Sequence, residues 1–202
     1  MNDEKRQNPT IEKRRKKAAA RSAKECAYLA AFVALVIAVQ LALSVIPSVE
    51  LVTVMFVAYA FAMGVKRGMI AATAFSLLRQ LVFGFFPTVL VLYLVYYNLL
   101  TLCFGLLGGK LRTTPKNLPW LVLIACACTV CFTMIDNVLT PLWYGYSARA
   151  AKAYFISSLP FMIPQVVCTA ISVACLFLPL SKVFFIVKSR VCAYEKISTE
   201  KR

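Results

Sequence analysis

A chain of 202 residues that is 61% hydrophobic, with mean hydropathy +0.76, holds far more apolar side chain than a soluble domain of about 45–50% apolar residues needs. The composition excludes an ordinary globular protein and points to one membrane domain with several spans of about 20 residues each. The net charge of +15 would suit nucleic acid, but nine of the 23 basic residues fall in the first 24 positions and six lie after Leu180. That is the distribution of polybasic flanks beside membrane spans, not of a nucleic-acid surface.

The first 25 residues are charged, with Lys13-Arg14-Arg15-Lys16-Lys17 at the centre. They read as a solvated tail whose second half continues as helix into the membrane. The apolar run that follows is too long for the core of a cleavable signal, about 7–15 residues, and is expected to stay as a span. Span one covers about residues 27–46. Ala30, Ala34, Ala38 and Ala42 recur in it every four residues, with Ala23, Ala27 and Ala31 beside them. Small residues at this spacing let another helix approach closely, either a helix of the same bundle or one of another subunit. The stretch Ile46-Pro47-Ser48-Val49-Glu50-Leu51-Val52-Thr53 is a polar turn between two apolar runs.

Span two is short, about residues 51–65, and is expected to end at Lys66-Arg67-Gly68. Span three, about 69–86, carries Arg79-Gln80 and is broken by Pro87. Span four, about 88–107, carries Tyr93, Tyr96, Tyr97 and Asn98; Gly105, Gly108 and Gly109 are expected to loosen the chain after it. Span five, about 119–143, carries Asp136-Asn137 and Pro141. A connection over 144–151 leads to span six, about 153–180, with Pro160, Pro164 and Pro179, which are tolerated where neighbours satisfy the freed carbonyls. The expected architecture is an all-α membrane protein of six transmembrane helices. A basic tail over 1–26 precedes a membrane domain over 27–182. A second basic tail follows over 183–202, and its apolar run Val183-Phe184-Phe185-Ile186-Val187 is suited to lie along the interface. With this topology 20 of the 23 basic residues fall on the side of the N-terminus, and Arg149 and Lys152 alone on the other. The positive-inside rule then makes both termini cytoplasmic.

None of the eight cysteines falls in an outer connection, so a disulfide framework is not expected. Cys128-x-x-Cys131 has apolar neighbours and reads as helix packing. The chain has no histidine, which removes Ser-His and Cys-His nucleophile pairs and His metal sites. It has no Walker A pattern and no acidic cluster for magnesium. An enzyme, a cofactor and a resident metal are therefore not expected.

Polar residues are placed by depth instead. Gln40, Glu50, Arg79, Gln80, Asn98, Asp136, Asn137 and Gln165 all lie at the midplane or toward the outer side, and aromatic residues such as Phe83, Tyr93, Tyr96, Trp143 and Tyr144 share that depth. An outward-opening pocket with aromatic walls and a few polar anchors suits a small molecule. Each residue also has a structural reading. Arg79 pairs with Asp136 or Glu50 as a buried ion pair, Asn98 and Gln165 join helices, Glu50 caps a helix or is solvated, and Trp143 and Tyr144 belong to the interfacial belt.

Three stretches together resemble the substrate-binding (S) component of an energy-coupling factor transporter. They are the alanine-striped first span, the turn Ile46–Thr53 with its Pro-x-Val-Glu core, and Ala153-Tyr154-Phe155-Ile156-Ser157-Ser158-Leu159-Pro160-Phe161. The resemblance covers about residues 27–182. Ser48 stands where the family pattern would have Asn, and the long basic tail is not a family requirement. The resemblance implies a component of the bacterial cell membrane that captures a vitamin or related micronutrient at its outer face. It implies partners too: a transmembrane coupling (T) subunit docking on Ala30, Ala34, Ala38 and Ala42, and two cytoplasmic ATPase subunits. Substrate release would follow from toppling of the component in the bilayer. Glu50, Arg79, Asn98, Asp136, Asn137, Gln165, Gln40 and Tyr96 are the expected substrate-binding residues. The competing readings are a small scaffolding membrane protein of the rod-shape type, which needs no ligand, and a self-contained secondary carrier, which would show internal symmetry.

Overall fold

A computed structural model describes the backbone over residues 9–45, 51–111 and 114–199, and side chains over 23–45, 51–111 and 114–190. Among the described residues the chain is helical throughout, in the order α1 (Pro9–Leu43), α2 (Val52–Met63), α3 (Val65–Phe83), α4 (Pro87–Lys110), α5 (Leu118–Trp143) and α6 (Ala148–Thr199), with one 3-10 turn at Pro115–Asn117. Four stretches, Ala23–Leu43, Pro87–Lys110, Pro115–Trp143 and Ala148–Arg190, are long and apolar enough to cross a membrane. Large apolar side chains such as Leu35, Leu81, Val138, Leu142, Ile163 and Ile171 are exposed around the outside. A surface this apolar belongs in lipid, and the protein is membrane-embedded.

The bundle is built around α2. All but the last of its residues are buried: with no polar face it suits a core or lipid alike, and here neighbouring helices cover it. Gly64, at φ +87°, ends α2 and starts α3, a backbone angle that glycine adopts without strain. The chain doubles back there. Phe56 and Phe75 would stand about 28 Å apart on one straight helix at 1.5 Å per residue, yet their ring centroids are 5.2 Å apart. Lys66-Arg67-Gly68, expected to end span two, therefore lie in the first turn of α3, and Pro87, expected as a breaker, opens α4, where its missing N–H costs nothing.

Gly105 and Gly108 do not loosen the chain: α4 runs through them to Lys110. They are contact points with the α2–α3 corner. A Cβ on Gly108 would lie 2.1 Å from the carbonyl oxygen of Phe61, and one on Gly105 would lie 2.7 Å from the backbone nitrogen of Val65.

Around this corner the other elements gather. The first part of α6 is bonded to α5, through Thr129 Oγ1 to Thr169 Oγ1 at 3.1 Å and Asn137 Nδ2 to Ser158 Oγ at 2.9 Å. Its later part lies on α2, with Phe177 edge-on to Phe61, Phe184 edge-on to Tyr59, and Lys188 Nζ donating to the carbonyl of Ala62 at 2.6 Å. The run 183–187 is thus no separate interfacial segment. It continues α6, and Phe184 is buried against Phe32 and Tyr59. Glu25 and Arg67 form an ion pair at 2.9 Å at the same end.

α1 is peripheral. Phe32, Val33 and Val36 are its buried side chains among the described residues. Ala23, Ala27, Ala30, Ala31, Ala34, Ala38 and Ala42 are all exposed, so the alanine row is not used for packing inside this bundle.

Gly108→Ala is expected to lower stability by about 1–3 kcal/mol, the range for overpacking against atoms that cannot yield. Gly109→Ala, with open space around it, is expected to be neutral or slightly stabilising. Thermal unfolding of the two variants in detergent checks the pair; equal melting temperatures would remove the close approach.

Candidate functional site

Counting along the helices at about 1.5 Å per residue, Arg79, Tyr93, Asp136 and Tyr154 all lie about 6–10 Å in from the same end of the bundle. That end carries the α3–α4 turn and the α5–α6 turn, which touch where Thr88 Oγ1 donates to Tyr144 Oη at 3.3 Å. Phe85, Phe86, Trp143, Tyr144 and Tyr146 are exposed there, in keeping with an interfacial belt. Arg79, Tyr93, Asp136 and Tyr154 thus share one level along the bundle. The single pocket expected of the polar residues does not form: they separate into two groups and one brace.

The first group joins α1, α3 and α4. Arg79 Nε donates to Gln40 Oε1 at 3.1 Å, and Gln40 Nε2 donates to Tyr93 Oη at 3.3 Å. The guanidinium carbon lies 4.7 Å from the centre of the Phe83 ring and 4.4 Å from that of Tyr93. Two ring faces and an amide oxygen thus take the place of a carboxylate. Arg79 and Asp136 form no ion pair; Glu50, the other partner considered, lies outside the described residues. Gln80 turns the other way and is buried, its Oε1 accepting from the N–H of Phe86 at 3.1 Å and so fixing the α3–α4 turn.

The second group lines a pocket of about 320 Å³ between α5 and α6. Phe132, Thr133 and Asp136 come from α5; Tyr154, Ser158, Phe161 and Gln165 come from α6. The volume is in the range of small-molecule sites. Asp136 accepts from Thr140 Oγ1 and from Tyr154 Oη, each at 2.8 Å. Asn137 stands behind the wall, 8% exposed, holding Ser158 through its Nδ2; its Oδ1 is buried without a hydrogen-bond partner. Gln165 is about 16 Å further along α6 than Tyr154, so the pocket runs down the helix.

Phe132 divides the two groups. Its ring is 6.0 Å from Tyr93 on one side and 4.8 Å from Tyr96. Tyr96 is buried and also meets Tyr97 edge-on, so it supports the pocket wall rather than lining it. Asn98 is the brace. It exchanges hydrogen bonds with Thr73 Oγ1 at 3.3–3.4 Å and donates to the carbonyl of Leu94 at 2.7 Å, joining α3 to α4 away from the pocket. Tyr154, Ser157, Ser158 and Phe161 were quoted in the sequence for their resemblance and not as ligand residues. Their spacing of three and four, continued by Gln165, places them on one helix face and was the available signal.

The described cysteines are free thiols, and among the described residues no cluster of His, Cys, Asp and Glu could hold a metal ion. No protein-family model, curated protein or solved structure matches the chain.

Arg79→Lys keeps the charge but loses the planar fork, the ring contacts and the bond to Gln40. It is expected to destabilise the empty protein by about 1–2 kcal/mol, from a cation–π contribution of about 0.5–2 kcal/mol and a charged hydrogen bond of similar size. Calorimetry of the ligand-free protein reads this directly; an unchanged melting temperature would mean that the stack does not brace the three helices.

Proposed function

We propose that this chain is the substrate-binding component of an energy-coupling factor importer of the bacterial cell membrane. It lies in the bilayer as a bundle of six helices, with the short α2 enclosed among the others, and keeps both termini in the cytoplasm. It takes a vitamin-like molecule into the pocket between α5 and α6 at the outer face, and it presents α1 to the transmembrane coupling subunit, which carries the two ATPases.

The observation that carries this reading is the exposure of the whole alanine row on the peripheral helix. Ala30, Ala34, Ala38 and Ala42 occupy the outward side of α1 while Phe32, Val33 and Val36 bind it to the bundle. Lipid tails are as apolar as leucine and give no reason to prefer alanine; a second helix does, because small side chains let backbones come close. The charge pattern gives the orientation. Lys66, Arg67, Lys110 and Lys116 lie at the end of the bundle where α1 enters, and Asp136 and Tyr154 of the pocket lie nearer the opposite end. The chain has no motif of the Walker type, which is compatible with ATP hydrolysis by partner subunits.

Ala34→Trp or Ala38→Trp fills the row without touching the bundle core. Either is expected to abolish co-purification with the coupling subunit and the ATPases while leaving the melting temperature of the isolated protein and its ligand content unchanged. Denaturing the purified protein and identifying the released small molecules by mass spectrometry measures that content. Assembly that survives both substitutions would refute docking through α1 and leave a scaffold reading in its place.

A further inference from the structure

Asp136 is an acid without a base. Of the two carboxylates with described side chains, Glu25 is paired with Arg67 at 2.9 Å, whereas Asp136 makes no ion pair. Thr140 and Tyr154 each donate a hydrogen bond to it at 2.8 Å. Neutral donors orient a carboxylate but do not cancel its charge. The basic residues nearest in sequence, Arg149 and Lys152, are exposed at the head of α6. Arg79 is engaged by Gln40 and two rings on the far side of Phe132. The segment 46–50, outside the described residues, contains no lysine or arginine. An ionised carboxylate inside a membrane domain without a cation is costly and marks a functional position.

We propose that the pocket between α5 and α6 selects a small organic cation. The ligand's positive charge lies against Asp136 and its apolar body against Phe132, Tyr154 and Phe161, the aromatic side chains of the lining. This rests on the reading that the pocket is the ligand site. Ring faces attract a desolvated cation and Asp136 supplies the opposite charge, so both features favour the same ligand chemistry. Gln165, deeper in the pocket, is left to hold a neutral polar group of the same molecule. An anionic molecule is disfavoured by the same carboxylate, which gives selectivity by repulsion as well as by attraction.

The test uses full-length protein purified in detergent, with fixed probes: thiamine, pyridoxamine and tetramethylammonium as cations, riboflavin as a neutral ligand, pantothenate and biotin as anions. Thermal stability finds binders and calorimetry gives their dissociation constants. At least one of the cations is expected to stabilise the protein. Its affinity is expected to fall about tenfold or more in Asp136→Asn, as happens when one member of a partly buried charge pair is removed. The asparagine keeps an acceptor for Tyr154, so the ligand-free melting temperature serves as the control for folding. Gln165→Leu is expected to weaken the same probe while leaving the charge preference intact. Three results overturn the inference: no cation binds, a cation binds equally well to Asp136→Asn, or only riboflavin, pantothenate or biotin binds. The last of these leaves the importer reading standing, and that reading fails separately, in the assembly experiment with the α1 substitutions.

Discussion

Everything in this fold is arranged by the need to enclose α2. Its sequence, Val52-Thr53-Val54-Met55-Phe56-Val57-Ala58-Tyr59-Ala60-Phe61-Ala62-Met63, is apolar on every side. At about 18 Å it is too short to cross a hydrocarbon core of about 30 Å alone. Facing lipid it would leave the backbone groups of its ends in hydrocarbon, so neighbours have to cover it. The hairpin at Gly64 lays α3 along one side, α4 reaches the corner through Gly105 and Gly108, and the second half of α6 covers the rest. α6 must leave α5 to do so. Its first part follows α5 and its later part lies on α2, and the pocket lies where it follows α5.

Level along the bundle was legible in the sequence; rotation about each helix was not. Counting residues from turns and charge clusters is enough to put Arg79, Asp136 and Tyr93 at one level, because the rise per residue is fixed. Deciding which of them face each other requires the rotation of each helix, which an apolar stripe against a polar one would reveal. These helices are apolar on all sides. Asn98 and Asp136 thus looked equivalent, yet one joins α3 to α4 and the other faces a pocket. The glycines misled for a related reason. Gly108 and Gly109 are neighbours in sequence and opposite in role, one against Phe61 and the other in open space. The all-helical membrane class needed only composition and spacing; of the six spans expected, four stretches are long and apolar enough to cross a membrane.

The alanine row shows how a pattern with two meanings is resolved. A repeat of four marks one helix side as smooth, whichever helix approaches it. Inside the bundle that side would be buried. Here Phe32 of α1 packs against Tyr59, Phe56 and Phe184, and Val33 and Val36 are buried on the same helix. The bundle thus takes the bulky side of α1 and leaves the smooth one outside. A helix so placed adds little to the core, and its outer side is free to be shaped by another requirement.

The two charges at the far end are handled in opposite ways, and the difference bears on what the protein can bind. Arg79 carries its charge on a flat, weakly hydrated group, and the bundle supplies what such a group accepts: two ring faces and an amide oxygen. Its needs are met without a ligand, and it holds three helices together as a result. Asp136 has a compact charge that rings cannot serve, since the face of an aromatic ring repels an anion. Hydroxyls of Thr140 and Tyr154 hold it in place and leave its charge standing at the edge of a cavity. Phe132 and Phe161 line the same cavity, and a ring face turned toward it would favour a cation over an anion. Around Arg79 the rings meet a charge of the protein itself; around Asp136 they line a cavity beside a carboxylate with no cation of the protein against it among the described residues. A structural ion pair would have joined the two residues across Phe132. Their separation gives one end of the bundle a brace on one side of that ring and a cavity with a carboxylate on the other.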